Sequence, residues 1–244
     1  MISFTLWDWL LMLVVATQAT FIAYLHNPRL KAFVLSLPVP FSLAYLSVGN
    51  PVDITNVLGL LLFFLYTHAV RWLHRRAHLP IIPAIVISTL AYAVTASCLV
   101  QCLPNTRPAF YFWLACGCVA GIAVVFQVRF KPGDEKGYRT ELPVWIKFAI
   151  ITGVIFVIIL IKKYLQGFMT LFPMVSVVAL YEARFCLRTI CRQMAVFVLV
   201  FLPMLVVIRL FQPGLGAYGS LLLGWAVYLS ILLPLTWQQW KRFK

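Results

Sequence analysis

The chain has 244 residues, of which 63% belong to the apolar set AVILMFWYC and 11% are charged, and its mean hydropathy is +0.96. A soluble domain is about half apolar and about a quarter charged, so this composition excludes a soluble enzyme, a secreted disulfide scaffold and a disordered tail. It also excludes an outer-membrane barrel, because the strands of such barrels alternate polar and apolar residues. At roughly 20 residues per helix, the length accommodates about eight to ten membrane spans.

The formal net charge is +14, from 20 Lys and Arg against 6 Asp and Glu. In a membrane protein, Lys and Arg collect in cytoplasmic loops and attract anionic lipids, so we expect membrane lipids and no nucleic acid as partners. The six cysteines form neither a CxxC motif nor a Cys/His zinc pattern. We therefore expect no metal and no other cofactor.

Nine apolar runs predict an all-α polytopic membrane protein with about nine transmembrane helices. Pro38 and Pro40 interrupt the second run and Pro173 interrupts the seventh, so these two are predicted to be tilted or broken helices. The first run lacks both a preceding basic segment and a cleavage site, which argues against a signal peptide. The runs cover approximately residues 5–25, 33–48, 55–74, 80–103, 108–128, 144–163, 168–184, 190–211 and 215–237.

The basic residues orient these helices. If the loops alternate between the two sides of the membrane, one side holds 16 of the 20 Lys and Arg residues and the other holds 4. Cytoplasmic loops carry the excess of positive charge. We therefore predict a bacterial inner (plasma) membrane protein with its amino terminus outside and its carboxyl terminus in the cytoplasm.

A weak internal duplication appears when the sequence is shifted by 135 residues. Residues 27–45 then align with 162–180, and Pro38 meets Pro173. One connecting helix between two four-helix units reverses the second unit, so a 4+1+4 inverted repeat is predicted, a common plan of secondary transporters. The alternative is that duplication built a stable bundle without a transport role. The predicted units are residues 1–104 (first repeat), 105–143 (connecting span and cytoplasmic loop) and 144–244 (second repeat).

The segment KKYLQGFMTLFPMVSVVALY, residues 162–181, resembles the second-helix region of GlpM-like small inner-membrane proteins. The first repeat departs from this pattern, because it has Leu37–Pro38 in place of Phe-Pro and a second proline at Pro40. The resemblance implies a fused tandem pair of four-span bundles, a plan similar to that of drug/metabolite transporters. It also implies a loose association with exopolysaccharide production and no settled activity. The matching residues are Gly167, Leu171, Phe172, Pro173 and Ala179.

Two aspartates are expected to have structural roles. Asp8 lies between Trp7 and Trp9, which places it in the aromatic belt at the outer interface. Asp53 directly precedes Ile54 and Thr55, so we expect it to cap the third span.

Ionisable residues within spans are costly and are candidates for function. Glu182 precedes Arg184 and Arg188. This group is either a gating ion pair or anion site at the cytoplasmic mouth, or part of a solvated basic loop. His68 and Arg71 share a helix face near the inner end of the third span, where they either line a pathway or reach toward lipid phosphates.

Arg209 lies near the outer end of the eighth span, against the charge bias. It is either the best single pathway residue or an anchor to lipid headgroups. An anchor tolerates Lys, whereas an arginine that holds a phosphate or carboxylate with its two-pronged guanidinium does not.

These features favour a small transporter or flippase that moves an anionic, zwitterionic or lipid-linked small molecule by alternating access. The alternative is a non-catalytic scaffold or accessory subunit of an envelope polysaccharide or lipid pathway. No hydrolase or metalloprotease motif is present, so we do not expect an enzyme. Expected partners are the substrate and either a second copy or an envelope-pathway protein. The pathway candidates are Arg209, Glu182, Arg184, Arg188, His68 and Arg71.

Overall fold

A computed structural model of the chain describes residues 6–103, 108–129, 135, 138, 141, 143–160 and 166–241. Within these ranges the chain is helical, contains no strand, and has six helical segments long and apolar enough to span a membrane. The prediction of an all-α fold is confirmed, and these six segments have the length and composition of membrane spans. The helices are α1 (Leu6–Tyr24), α2 (Pro28–Leu35), α3 (Val39–Val48), α4 (Ile54–Arg75), α5 (Ile81–Cys102), α6 (Pro108–Arg129), α7 (Val144–Leu160), a 3₁₀ helix (Gln166–Leu171), α8 (Met174–Glu182) and α9 (Leu187–Lys241).

The start of α4 follows directly from the local sequence. The Asp53 side chain accepts a hydrogen bond from the backbone N–H of Thr55 at 2.9 Å, and the Asn56 side chain accepts one from the Asp53 N–H at 2.8 Å. This reciprocal capping box satisfies amides that a helix start leaves unpaired. The predicted role of Asp53 as the N-cap is confirmed.

Two segments that the sequence predicts as interrupted helices are broken at their prolines. The first broken helix comprises α2 and α3, which are separated at Ser36–Pro38. The second comprises the 3₁₀ helix and α8, which are separated at Phe172–Pro173. Proline has no N–H to donate to the preceding turn and its ring clashes with that turn, so each helix restarts after its proline.

The longest helix, α9, folds back on itself. Its 55 residues would extend about 80 Å if straight, more than twice the thickness of a bilayer core. Gly216 interrupts it with φ +66° and ψ −177°, a conformation open almost only to glycine. Beyond this point, a Cβ on Gly224 would lie 2.9 Å from Ile208. Helix α9 is therefore a hairpin of two arms, residues 187–215 and 217–241.

One end of the bundle gathers charged side chains from distant parts of the chain, and we call it the basic end. The Lys31 Nζ atom donates to the main-chain oxygen of Glu182 at 3.1 Å, and Lys147 forms an ion pair with the Glu182 carboxylate. Arg75 donates to the main-chain oxygen of Phe185, three residues after Glu182, at 3.5 Å. All five residues belong to segments that the charge distribution assigns to one side of the membrane.

The opposite end of the bundle is built from segments that the charge distribution assigns to the other side. The rings of Trp7 and Tyr218 lie 6.2 Å apart. The Arg209 guanidinium donates to the main-chain oxygen of Val52 at 2.7 Å. The contacts at both ends are thus consistent with the predicted alternation of the helices.

The carboxylate of Asp8, which the sequence predicts at the outer interface, has a partner inside the bundle. Asp8 is 1% exposed, and the Ser47 hydroxyl donates to its carboxylate at 2.5 Å. Since Ser47 is 39 residues away in the sequence, this contact depends on how α1 packs against α3. Asp8 therefore links two helices inside the bundle.

Candidate functional site

The two broken helices cross at their breaks. Leu37 and Pro38 of the first, and Phe172 and Pro173 of the second, line one cavity of about 40 Å³. The two helices run in opposite directions, since α2 begins at the basic end and α8 finishes there with Glu182. The crossing therefore brings two prolines that are 135 residues apart in the sequence to the same cavity.

The cavity wall is mainly apolar and contains two hydroxyl side chains. These belong to Thr170 and Ser176, both almost fully buried. The Thr170 hydroxyl accepts a hydrogen bond from the Asn56 amide at 2.9 Å. A space of this size with polar groups in its wall can hold a few water molecules.

Two helix N-termini converge on this cavity. Helix α3 begins after Pro38 and α8 begins after Pro173, and neither N-cap position provides a side-chain hydrogen bond. The first amides of a helix carry a partial positive charge and lack partners within the helix. The crossing thus offers two electropositive helix ends to a group in the cavity.

Two tyrosines connect the broken helices to the rest of the bundle in a reciprocal way. Tyr92, on α5, donates to the main-chain oxygen of Phe168 in the second broken helix at 3.0 Å. Tyr228, on the second arm of α9, donates to the main-chain oxygen of Ser36 in the first. Each predicted repeat thus supplies from its last helix a hydrogen bond to the broken helix of the other repeat.

At the basic end, Glu182 forms a buried cluster with two lysines. Lys31 and Glu182 are 0% exposed and Lys147 is 5% exposed. Lys147 binds one carboxylate oxygen of Glu182, and Lys31 binds its main-chain oxygen at 3.1 Å. The second carboxylate oxygen of Glu182 is buried without a hydrogen-bond partner among the described residues.

The two arginines predicted to accompany Glu182 have other partners. Arg184 donates to the main-chain oxygen of Tyr181 at 3.0 Å and lies over the Tyr138 ring, with 4.3 Å from Cζ to the ring centroid. The backbone N–H of Arg188 donates to Glu135 at 3.1 Å. Among the described residues, the carboxylate of Glu182 therefore pairs with Lys147 and with neither arginine.

Glu135 occupies the N-terminus of α9. Its carboxylate accepts hydrogen bonds from the backbone amides of Arg188 and Thr189 and from the Thr189 hydroxyl, at 2.8 to 3.1 Å. A negative charge at a helix N-terminus is stabilised by the helix dipole. Just before this helix, burial raises the pKa of the Cys186 thiol to about 11, and the nearby Lys31 ammonium partly offsets this effect.

His68 and Arg71 lie on the basic-end half of α4. The Nδ1 atom of His68 lies 3.0 Å from the main-chain oxygen of Phe64, and its ring packs against Phe126 with centroids 5.1 Å apart. Both residues are partly exposed. The imidazole thus packs against aromatic rings of its own helix and of α6.

Arg209 holds the loop that precedes α4. Arg209 donates to the main-chain oxygen of Val52. The neighbouring Gln212 side chain accepts a hydrogen bond from the Val52 N–H at 3.4 Å. Both main-chain polar groups of Val52 are therefore bound by side chains of α9. Arg209 is therefore separate from the Glu182 cluster, which lies at the other end of the bundle.

Sequence reasoning missed Lys31 and Lys147 as members of a site. Both were counted as loop charges on the cytoplasmic side, although Lys147 stands within an apolar run, in VWIKFAII. The position of Lys147 is the one feature of the sequence that could have indicated the cluster, since a lysine inside a span requires a partner. The pairing with Glu182 joins positions 35 and 151 residues apart in the sequence.

Comparison with known proteins finds no matching family model, no similar curated protein and no similar solved structure. The resemblance to GlpM-like proteins rests on the sequence pattern alone. In the part of the chain that the structure describes, no three His, Cys, Asp or Glu side chains are grouped to hold a metal ion.

Proposed function

We propose that this protein is a small membrane transporter or flippase that moves an anionic, zwitterionic or lipid-linked molecule by alternating access. The observation that carries the proposal is the crossing of the two broken helices around a cavity. In secondary transporters, discontinuous helices cross near the middle of the bilayer and direct their half-helix ends at the substrate. The N-termini of α3 and α8, which have no side-chain cap, favour a substrate with a negative group.

We further propose that the chain has nine spans arranged as a 4+1+4 inverted repeat. The opposite directions of the broken helices and the reciprocal hydrogen bonds of Tyr92 and Tyr228 support this arrangement. The hairpin at Gly216 divides α9 into two arms that correspond to the eighth and ninth apolar runs. Two similar units in opposite orientation can exchange inward-open and outward-open shapes, which alternating access requires.

In the proposed orientation, the basic end faces the cytoplasm of a bacterial inner membrane and the amino terminus lies outside. The support is that alternation of the nine predicted spans assigns 16 of the 20 basic residues to that side. The Glu182 cluster then lies at the cytoplasmic mouth, and Arg209 lies near the outer surface.

The deciding experiment is flux through the purified full chain in liposomes. Flipping is measured with fluorescent phosphatidylglycerol and phosphatidylethanolamine by quenching of the outer leaflet. Uptake is measured with radiolabelled inorganic phosphate, succinate and phosphocholine. We expect at least one probe to move faster than in protein-free liposomes.

A pair of matched variants tests whether the crossing lies on the path. Ser176→Val replaces a hydroxyl of the cavity wall with two methyl groups, so we expect it to lose most of the flux. Ser230→Val makes the same change at an exposed position and is expected to retain it. Equal flux in the two variants would contradict a path through the crossing. Absence of flux for every probe, with a stoichiometric partner purified from the membrane, would favour the scaffold alternative.

A further inference from the structure

The cluster of Lys31, Lys147 and Glu182 has an excess of positive charge. Two ammonium groups and one carboxylate lie together, and all three side chains are at least nine-tenths buried. Charges removed from water need compensating partners, because burial disfavours an uncompensated ion. One carboxylate neutralises one of the two lysines.

The hydrogen-bonding capacity of the cluster is also incompletely used. A lysine ammonium has three donors, and the described contact of the Lys31 ammonium is a single bond, to the main-chain oxygen of Glu182. The second carboxylate oxygen of Glu182 has no hydrogen-bond partner within the described part of the chain. Open donors next to a carboxylate are the groups that a second anion would engage.

The helices packed against α8 supply no further negative charge at this end. The one acidic residue of α1 is Asp8, which lies at the opposite end, and α5 contains no charged residue. Helices α2 and α7 contribute the two lysines, and the adjacent loop contributes Arg184 and Cys186. The nearby carboxylate of Glu135 is bound to the first turn of α9.

We propose that Lys31 and Lys147 form a binding site for an anionic oxygen group, a phosphate or a carboxylate, and that the Glu182 carboxylate occupies part of this site when no ligand is bound. The incoming anion displaces Glu182 from Lys147 and engages the open donors of Lys31. The ligand is a free small anion or the headgroup of an anionic lipid.

The location connects this site to the crossing. Glu182 is the last residue of α8, and the first residues of that helix border the central cavity. Nine helical residues span about 13 Å, so the two places are one short half-helix apart. If the transported molecule binds here before it reaches the cavity, that role of the site rests on the proposed function. As a binding site, it can be tested without transport.

The test measures binding to the detergent-solubilised full chain. Inorganic phosphate is titrated in one series and dihexanoyl phosphatidylglycerol in another, with the unfolding temperature as the readout. Lys31→Met and Lys147→Met are each expected to weaken binding at least about tenfold, since each removes a charge-assisted hydrogen bond. Glu182→Gln is expected to strengthen binding about tenfold, because it removes the competing carboxylate.

The lysine variants and Glu182→Gln are expected to change the affinity in opposite directions. This difference distinguishes a binding site from a purely structural ion pair. A structural pair predicts lower stability in all three variants and no change in affinity, and that result would overturn the proposal. Arg76→Met, at an exposed position near the basic end, is the control for general attraction of anions and should change affinity less than about twofold. A loss of affinity in Arg76→Met as large as that in the lysine variants would likewise overturn the proposal.

Folding failures remain informative. If Glu182→Gln is unstable, phosphate is expected to restore its folding by replacing the missing negative charge, and absence of rescue would overturn the proposal. If one lysine variant does not fold, the other carries the same expectation. Stronger binding of inorganic phosphate would identify the ligand as a free anion, and stronger binding of phosphatidylglycerol would identify it as a lipid headgroup.

Binding and flux can fail independently. Site-dependent binding without flux in liposomes would refute transport and leave the anion site established. Flux with affinities that do not respond to these variants would refute the site and leave transport standing.

Discussion

The Cζ atom of Arg209 lies 4.3 Å from the centroid of the Phe112 ring. The planar guanidinium thus contacts an aromatic face on α6 while it donates to the Val52 oxygen. A guanidinium can do both at once because it is flat and has five donors in a fixed plane. Arg209 therefore joins α9, α6 and the loop before α4 at one end of the bundle.

We expect Arg209→Lys to fold and insert but to lose most of the flux of whichever probe the wild type moves. A lysine ammonium can donate to the Val52 oxygen, but it cannot also lie flat on Phe112. The free energy of unfolding should fall by about 1 kcal/mol or less, the value of a cation–π contact. Arg76→Lys is the control, and wild-type flux in Arg209→Lys would identify Arg209 as an anchor only.

Tyr92→Phe and Tyr228→Phe should destabilise the protein by similar amounts. Each removes one buried hydrogen bond to a carbonyl of a broken helix, which is worth about 0.5–1.5 kcal/mol. The measurement is thermal or denaturant unfolding in detergent. Tyr218→Phe, at a position that is 61% exposed, should change stability by less than about 0.5 kcal/mol. A change in only one of the two buried variants would argue against equivalent roles.

Features determined by neighbouring residues could be predicted from the sequence. The cap at Asp53 depends on residues within three positions of it, and the breaks at Pro38 and Pro173 follow from the missing N–H of proline. The apolar runs 190–211 and 215–237 predict the reversal in α9 between residues 211 and 215. The structure places it at Gly216, because that glycine adopts the conformation the reversal needs.

Features determined by contacts between helices could not be predicted in the same way. Glu182 was recognised as a candidate, but it was assigned to arginines nearby in the sequence. Its partners are Lys31 and Lys147, and only the packing of α2, α7 and α8 brings these side chains together. The contact of Asp8 with Ser47 was likewise not predicted, since it depends on the packing of α1 against α3.

Gly216→Ala should lower the free energy of unfolding by about 1–3 kcal/mol, because it forces a side chain into the glycine conformation at φ +66°. Gly214→Ala is a matched control two residues away. It has a helical backbone and open space around its Cα, so alanine should be neutral or slightly stabilising. Equal stability of the two variants would contradict a reversal that depends on Gly216.

The Cys186 thiol should react slowly with maleimide at neutral pH, and its rate should rise about tenfold per pH unit up to at least pH 9. A thiol with its pKa raised to about 11 stays protonated over this range, and the thiolate is the reactive form. The measurement uses a variant that retains only this cysteine. A single cysteine introduced by Glu141→Cys, at an exposed position, should level off near pH 8.5. A plateau for Cys186 at that same pH would contradict its burial.

The membrane orientation can be tested with single cysteines in a cysteine-free background and a membrane-impermeant maleimide. Arg76→Cys and Glu141→Cys lie at exposed positions in segments with many basic residues, and Gly214→Cys lies near the reversal of α9 at the opposite end. Positive charge on a loop opposes its transfer across the membrane. We therefore expect the first two cysteines to react in inside-out vesicles and the third in intact spheroplasts. Reaction of all three from one side would refute the alternation of the helices. A complete exchange of sides would reverse the orientation, and it would place Arg209 in the cytoplasmic half and the Glu182 cluster in the outer half.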